Sequence, residues 1–283
     1  MSLQPEVLAL VLLAAVLHAC WNACVKIGGD RLVTLAIVNG VGALIGLAAL
    51  PFVGIPASES WPYLFASVVI HTAYYFFLIQ QYRVGDLSHV YPLARGLSPL
   101  LIAGSAALFA GEYLPPLAWV GVIVACLGII SLAFEKGPPW RHDPWPVLYA
   151  SGTALTIASY TVVDGLGVRL AGGVFAYIAW LFFLDGIPIA VFAYLARRNQ
   201  MRAVLKAEAV KGLAGGALQV AAYGTVIWAM SVTAMAAVST LRETSVIFAA
   251  IIGAVLLGER FGSRRIAAAV LVACGVIVLN VVR

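Results

Sequence analysis

Apolar runs of about 20 residues recur along almost the whole chain, divided by short stretches rich in Gly, Pro and charge. A helix of that length crosses about 30 Å of hydrocarbon. The runs predict membrane-spanning helices at 5–27, 32–52, 60–82, 86–110, 115–134, 145–167, 172–196, 208–230, 234–257 and 264–282. Gly28–Arg31, Pro51–Ser60, Pro115–Pro116, Gly137–Pro146 and Arg197–Lys211 punctuate them. Only Met230 to Thr233 separates the eighth from the ninth. The pattern predicts an all-α membrane protein of ten transmembrane helices, with almost nothing left for a soluble domain.

Composition agrees. The 283 residues are 63% hydrophobic and 10% charged, against roughly 25% charged in a soluble domain. The net charge of +5 is set by 17 Lys and Arg, of which 13 fall in odd-numbered connections. Arg169 and Arg283 lie in even connections or termini, and Arg95 and Arg242 lie inside spans. The positive-inside rule then puts odd loops in the cytoplasm and both termini on the outer face of an inner (plasma) membrane. Topology and headgroup contact account for this charge, so lipid is an expected partner and nucleic acid is not. The first apolar run has no basic n-region or cleavage site and reads as a retained helix, not a signal peptide.

Cys20, Cys24, Cys126 and Cys274 all fall in apolar segments. The four histidines (His18, His71, His89, His142) are scattered. No metal site follows from these spacings, and no Walker loop, HExxH or G-x-S-x-G is present. No cofactor and no catalytic residue is expected. Trp61, Tyr63, Trp119, Trp140, Trp145 and Tyr149 sit near span ends, as interfacial aromatic residues do.

Residues 84–134 align without a gap onto 231–281. Gly111-Glu112 falls on Gly258-Glu259, Arg95 on Arg242, Ser98 on Ser245 and Gly128 on Gly275. At a slightly different offset His18-Ala19-Cys20-Trp21 lies over Ile157-Ala158-Ser159-Tyr160, and Gly28 over Gly167. The chain thus divides into repeats 1–137 and 138–283. Each holds five spans, an odd number, so the two enter the membrane from opposite sides. Such inverted repeats build secondary transporters around a site between the halves.

Ten short spans with a Gly-Glu turn after the fourth and ninth resemble the drug/metabolite transporter superfamily, and within it the EamA-type exporters, aromatic amino acid exporters among them. The resemblance covers the whole chain. It implies that the first, third, fourth, sixth, eighth and ninth helices surround a central cavity. The second, fifth, seventh and tenth would stand apart from it.

Ionisable groups at bilayer depth are costly and mark candidate sites. Arg95 and Arg242 lie on opposite sides of the midplane and suit carboxylate or phosphate. With Ser98 they are candidate solute-binding residues. His18, Trp21 and Asn22 of the first span, His71, Tyr74 and Tyr75 of the third, Tyr160, and Tyr223 with Gln219 would line an aromatic cavity. Any one of these aromatics could equally pack against lipid or a neighbouring helix. Asp185 and Glu243 are proton-coupling candidates, though the resemblance sets the seventh helix at the periphery. Asp164, near a span end, reads as an interfacial ion pair. Pro92 and Pro99 have Ser239 and Val246 at the matched positions, so the fourth helix is a candidate hinge.

The expected function is export of a small organic solute, an amino acid before others, by alternating access of a monomer. A sugar-phosphate or nucleotide-sugar exchanger, a drug/proton antiporter and an integral membrane enzyme are the alternatives. A periplasm-sensitive reporter fused after Arg283 should be active; a cytoplasmic readout there removes the orientation.

Overall fold

The computed structural model describes residues 4–84, 87–134, 137–138, 143–199, 201–257 and 262–281. Gly258-Glu259, Lys136, Arg141, Arg260, Trp140, His142 and Arg283 lie outside them. Among the described residues the chain is helical, with no strand. The helices are α1 (Pro5–Lys26), α2 (Arg31–Val53), α3 (Trp61–Val84), α4 (Leu87–Ala110), α5 (Pro116–Leu132), α6 (Trp145–Leu170), α7 (Val174–Arg197), α8 (Met201–Val232), α9 (Met235–Arg242), α10 (Ser245–Leu257) and α11 (Ser263–Val281). A short 3-10 turn, Ser58–Ser60, precedes α3. Eight of the helices are long and apolar enough to cross a membrane. α5 has 17 residues, and α9 with α10 fills the ninth expected span. The chain is an all-α, multi-pass membrane protein.

Two boundaries differ from the sequence expectation. α8 begins at Met201, seven residues before the apolar run at 208. Ala203, Leu205, Lys206 and Ala207 in the added turns are good helix formers, and the charge of Lys206 ends the apolar run without ending the helix. The ninth span divides between Arg242 and Ser245. Glu243 N–H donates to both Ser239 O and Thr240 O at 3.2 Å, and Thr244 N–H to Leu241 O at 3.0 Å. The Thr244 hydroxyl also bonds Leu241 O at 2.7 Å, competing with the helical ladder. α4, by contrast, runs unbroken through Pro92 and Pro99.

Glycines let helices meet backbone to backbone. A Cβ on Gly46 of α2 would stand 2.5 Å from Ala179 O of α7, and one on Gly186 of α7 2.6 Å from Asn39 O of α2. Shifting either partner by 140 residues turns one contact into the other. α5 and α11 meet in the same way: a Cβ on Gly121 would lie 2.7 Å from Gly275 O, and one on Gly128 3.1 Å from Ala268 O. Here the exchange needs a shift of 147, the offset that aligns Arg95 with Arg242.

Polar clusters tie the helix ends. Asp30 caps α2 through the Leu32 and Val33 amides at 3.1 and 3.2 Å and pairs with Arg197 of α7 at 2.7 Å. At the other end, Gly111 closes α4 with a φ of 65°, which favours glycine. Glu112 then accepts the Met235 amide at the start of α9, at 2.8 Å. It also pairs with Arg169 of α6, whose guanidinium donates to Met230 O and Thr233 O at 2.9 Å each. The Gly-Glu turn seen in the sequence therefore fastens α4 to the link between α8 and α9.

Gly46→Val should lower the thermal stability of detergent-solubilised protein by about 1–3 kcal/mol, because its new Cβ meets main chain. Gly40→Ala, with nothing within 4 Å of the added carbon, should be neutral in the same melting experiment.

Candidate functional site

Six helices send side chains to one interior cavity. α1 contributes His18 and Trp21, α3 contributes His71, Tyr74 and Tyr75, and α6 contributes Tyr160. Leu181, Phe182 and Asp185 come from α7, Gln219 and Tyr223 from α8, and Arg242 from the end of α9. The free volume is about 40 Å³, room for about three waters.

The walls are aromatic and mutually braced. His71 stacks on Tyr160 with ring centroids 4.1 Å apart, and Tyr223 meets Tyr160 edge-on at 5.9 Å. Trp21 donates its indole N–H to His18 Nδ1 at 3.1 Å. The guanidinium carbon of Arg242 lies 5.7 Å from the Tyr223 ring centroid, a cation–π contact. Arg242 is 7% exposed, and its buried Nε has no hydrogen-bond partner among the described residues.

A second tier of polar groups stands behind the rings. Tyr75 Oη lies 2.7 Å from Asn39 Oδ1 of α2 and 2.8 Å from Asp185 Oδ2. Asp185 Oδ1 is buried without a partner among the described residues. Asp164 receives the hydroxyls of Tyr177 at 3.0 Å and Tyr223 at 2.5 Å. It is fully buried, so the interfacial ion pair expected for it is replaced by two phenol donors.

Of the residues singled out in the sequence, His18, Trp21, His71, Tyr74, Tyr75, Tyr160, Asp185, Gln219, Tyr223 and Arg242 meet at this cavity. Asn22, Ser98 and Arg95 do not line it. Asn22 donates to His18 O at 2.8 Å, and Ser98 to Ala94 O at 2.6 Å, each within its own helix. Arg95 Nη2 lies 2.9 Å from Glu243 Oε1, both side chains at most 5% exposed. That pair joins α4 to the break between α9 and α10. Arg95 and Arg242 thus occupy matched positions but different settings, one neutralised by an acid and one facing the cavity.

The resemblance had set the seventh helix apart from the cavity, whereas α7 supplies Leu181, Phe182 and Asp185 to its lining. Gly186 allows Asn39 main chain against α7, which draws Asp185, one residue earlier, in behind Tyr75. Phe182, Leu181, Asn39 and Tyr177 were missed in the sequence. Asn39, an amide in the middle of an apolar run, was the readable signal among them. The four cysteines are free thiols, and no cluster of His, Cys, Asp or Glu able to hold a metal occurs among the described residues.

The chain is a bundle of apolar helices around an aromatic-walled cavity that holds a few polar groups. Residues 144–281 match the model of the EamA-like transporter family. A solved structure titled only as the crystal structure of a protein shares the fold, with a TM-score of 0.78 at 18% identity. That match covers 99% of this chain and 98% of the other. No curated protein matches the sequence.

Removing either partner of the Arg95–Glu243 pair leaves a buried charge unanswered. Arg95→Gln or Glu243→Gln should each cost about 3–5 kcal/mol of stability. The apolar double variant Arg95→Met/Glu243→Leu should recover most of it in thermal unfolding. Single variants as stable as wild type would show that the pair carries no weight.

Proposed function

We propose that the protein is an exporter of zwitterionic amino acids, aromatic ones foremost, working across the inner membrane by alternating access. One observation carries this reading: Arg242 and Asp185, each with an unpartnered buried polar atom, line the same aromatic cavity. A guanidinium suits a carboxylate and a carboxylate suits an ammonium, while the tyrosine and histidine rings suit a flat side chain. With Arg95 engaged by Glu243, a single arginine is left for the solute. A monocarboxylate fits that better than a phosphate, which the two-arginine reading had kept open.

The cavity at about 40 Å³ is too small for such a solute, so its walls must part to load it. The reciprocal contacts Gly46–Ala179 and Gly186–Asn39 support two inverted five-helix units, 1–137 and 138–283, meeting on a pseudo-two-fold axis. In such an arrangement the units exchange conformations and open the site to each side in turn.

Proteoliposomes loaded with unlabelled L-phenylalanine should accumulate the labelled compound by counterflow. Arg242→Gln should reduce this at least tenfold, about 1.4 kcal/mol of solute binding. Phenethylamine, which lacks the carboxylate, should compete poorly with wild type. Counterflow of a sugar phosphate but of no amino acid would overturn the reading.

A further inference from the structure

We infer that Asp185 holds a proton in the solute-free protein and gives it up to water when the ammonium group of the solute binds, so that export runs as proton antiport. The exchange rests on the amino-acid reading above; the proton site rests on hydrogen-bond inventory alone.

Tyr75 Oη makes two short contacts, to Asn39 Oδ1 at 2.7 Å and to Asp185 Oδ2 at 2.8 Å. A phenol has one proton to donate, and an amide oxygen and a carboxylate oxygen only accept. The amide is fixed the right way round. Asn39 Nδ2 donates to Leu35 O at 2.8 Å, and Asn39 Oδ1 receives Gln219 Nε2 at 3.2 Å. Turning the amide over would set two oxygens against each other at Leu35. One of the two Tyr75 contacts therefore lacks a proton unless Asp185 supplies it. A protonated Asp185 Oδ2 donates to Tyr75 Oη, which donates onward to Asn39 Oδ1, and every contact is satisfied.

Asp164 has the opposite inventory. Its two oxygens receive two separate phenol protons, from Tyr177 and Tyr223, which suits the ionised form. Two buried acids a few side chains apart are thus held in different protonation states by their donors. Asp185 Oδ1 has no donor in either state, and a bare buried oxygen is far less costly on a neutral carboxyl than on a carboxylate.

The titratable and charged groups facing Asp185 across the cavity are His71, Tyr74 and Tyr75 of α3, Tyr160 of α6, Tyr223 of α8, His18 of α1 and Arg242 of α9. The α2 face presents the neutral Asn39. When an ammonium seats at Oδ1, the carboxyl O–H breaks and the proton passes to water on the side to which the cavity is open. The Tyr75 proton then swings from Asn39 to Asp185, and an N–H···O bond replaces the lost one. On the return step the proton moves opposite to the solute.

Infrared difference spectra between acid and alkaline pH should contain a protonated-carboxyl stretch. That band should vanish in Asp185→Asn and persist in Asp164→Asn. A band that survives in Asp185→Asn overturns the proton site. Should Asp185→Asn fail to fold, Tyr75→Phe replaces it: loss of the acceptor must shift the band, and an unmoved band has the same overturning force. In weakly buffered solution, L-phenylalanine should release about one proton per protein, and its affinity should fall about tenfold for each pH unit below the midpoint. In proteoliposomes its uptake should alkalinise the lumen. Net uptake into empty proteoliposomes without lumenal pH change, or binding without proton release, overturns the exchange. No counterflow with any amino acid removes the transport reading instead, while the infrared band still decides whether Asp185 carries the proton.

Discussion

A charge inside a membrane protein must be answered, and the ion pair between Arg95 and Glu243 is where this constraint bears hardest. Both side chains are at most 5% exposed, in a setting where an unpaired ion costs several kcal/mol. Meeting that demand links α4 to the discontinuity at the centre of the ninth span. The acid is held at the break by the matched arginine of the opposite half, not by its own neighbour Arg242. Arg242 is thereby left for the cavity. The two aligned arginines differ in setting, one paired and one at the cavity, according to where a single carboxylate stands.

The aromatic wall follows from the same economy of polar groups. In a low-dielectric interior every phenol needs a partner, and the tyrosines find theirs in two acids and an amide. Tyr177 and Tyr223 satisfy Asp164, while Tyr75 connects Asp185 to Asn39. The rings fill the cavity and their hydroxyls reach behind it. The apolar and polar requirements are met by opposite ends of the same side chains.

Much of this was readable in advance, and the parts that were not have physical reasons. Helix limits follow from hydropathy because lipid acts on each run separately. α8 overran its estimate because its first turns are charged yet helical. The repeat could be read because Arg95, Ser98 and Gly-Glu are rare enough in apolar sequence to register an alignment. His18, Trp21, His71, Tyr75, Tyr160, Tyr223 and Arg242 could be gathered because polar and aromatic residues at mid-span are few. Tertiary pairings were beyond reach. Nothing in the order of residues tells that Glu243 serves Arg95, or that Asp164 lies under two tyrosines. The place of Asp185 depended on how closely α7 approaches α2. That distance is decided by Gly46 and Gly186 acting together, 140 positions apart in the chain.

That last contact has a mechanical meaning. Where α2 and α7 touch, Gly46 and Gly186 each bring a helix against the other's main chain, with the small side chain of Ala43 beside Gly186. Interlocked side chains must change rotamer when helices slide; a seam of backbone and one methyl group offers little to interlock. Asn39 has its carbonyl in that seam and its amide on Tyr75, so any change in the spacing of α2 and α7 reaches the hydrogen bond between Tyr75 and Asp185.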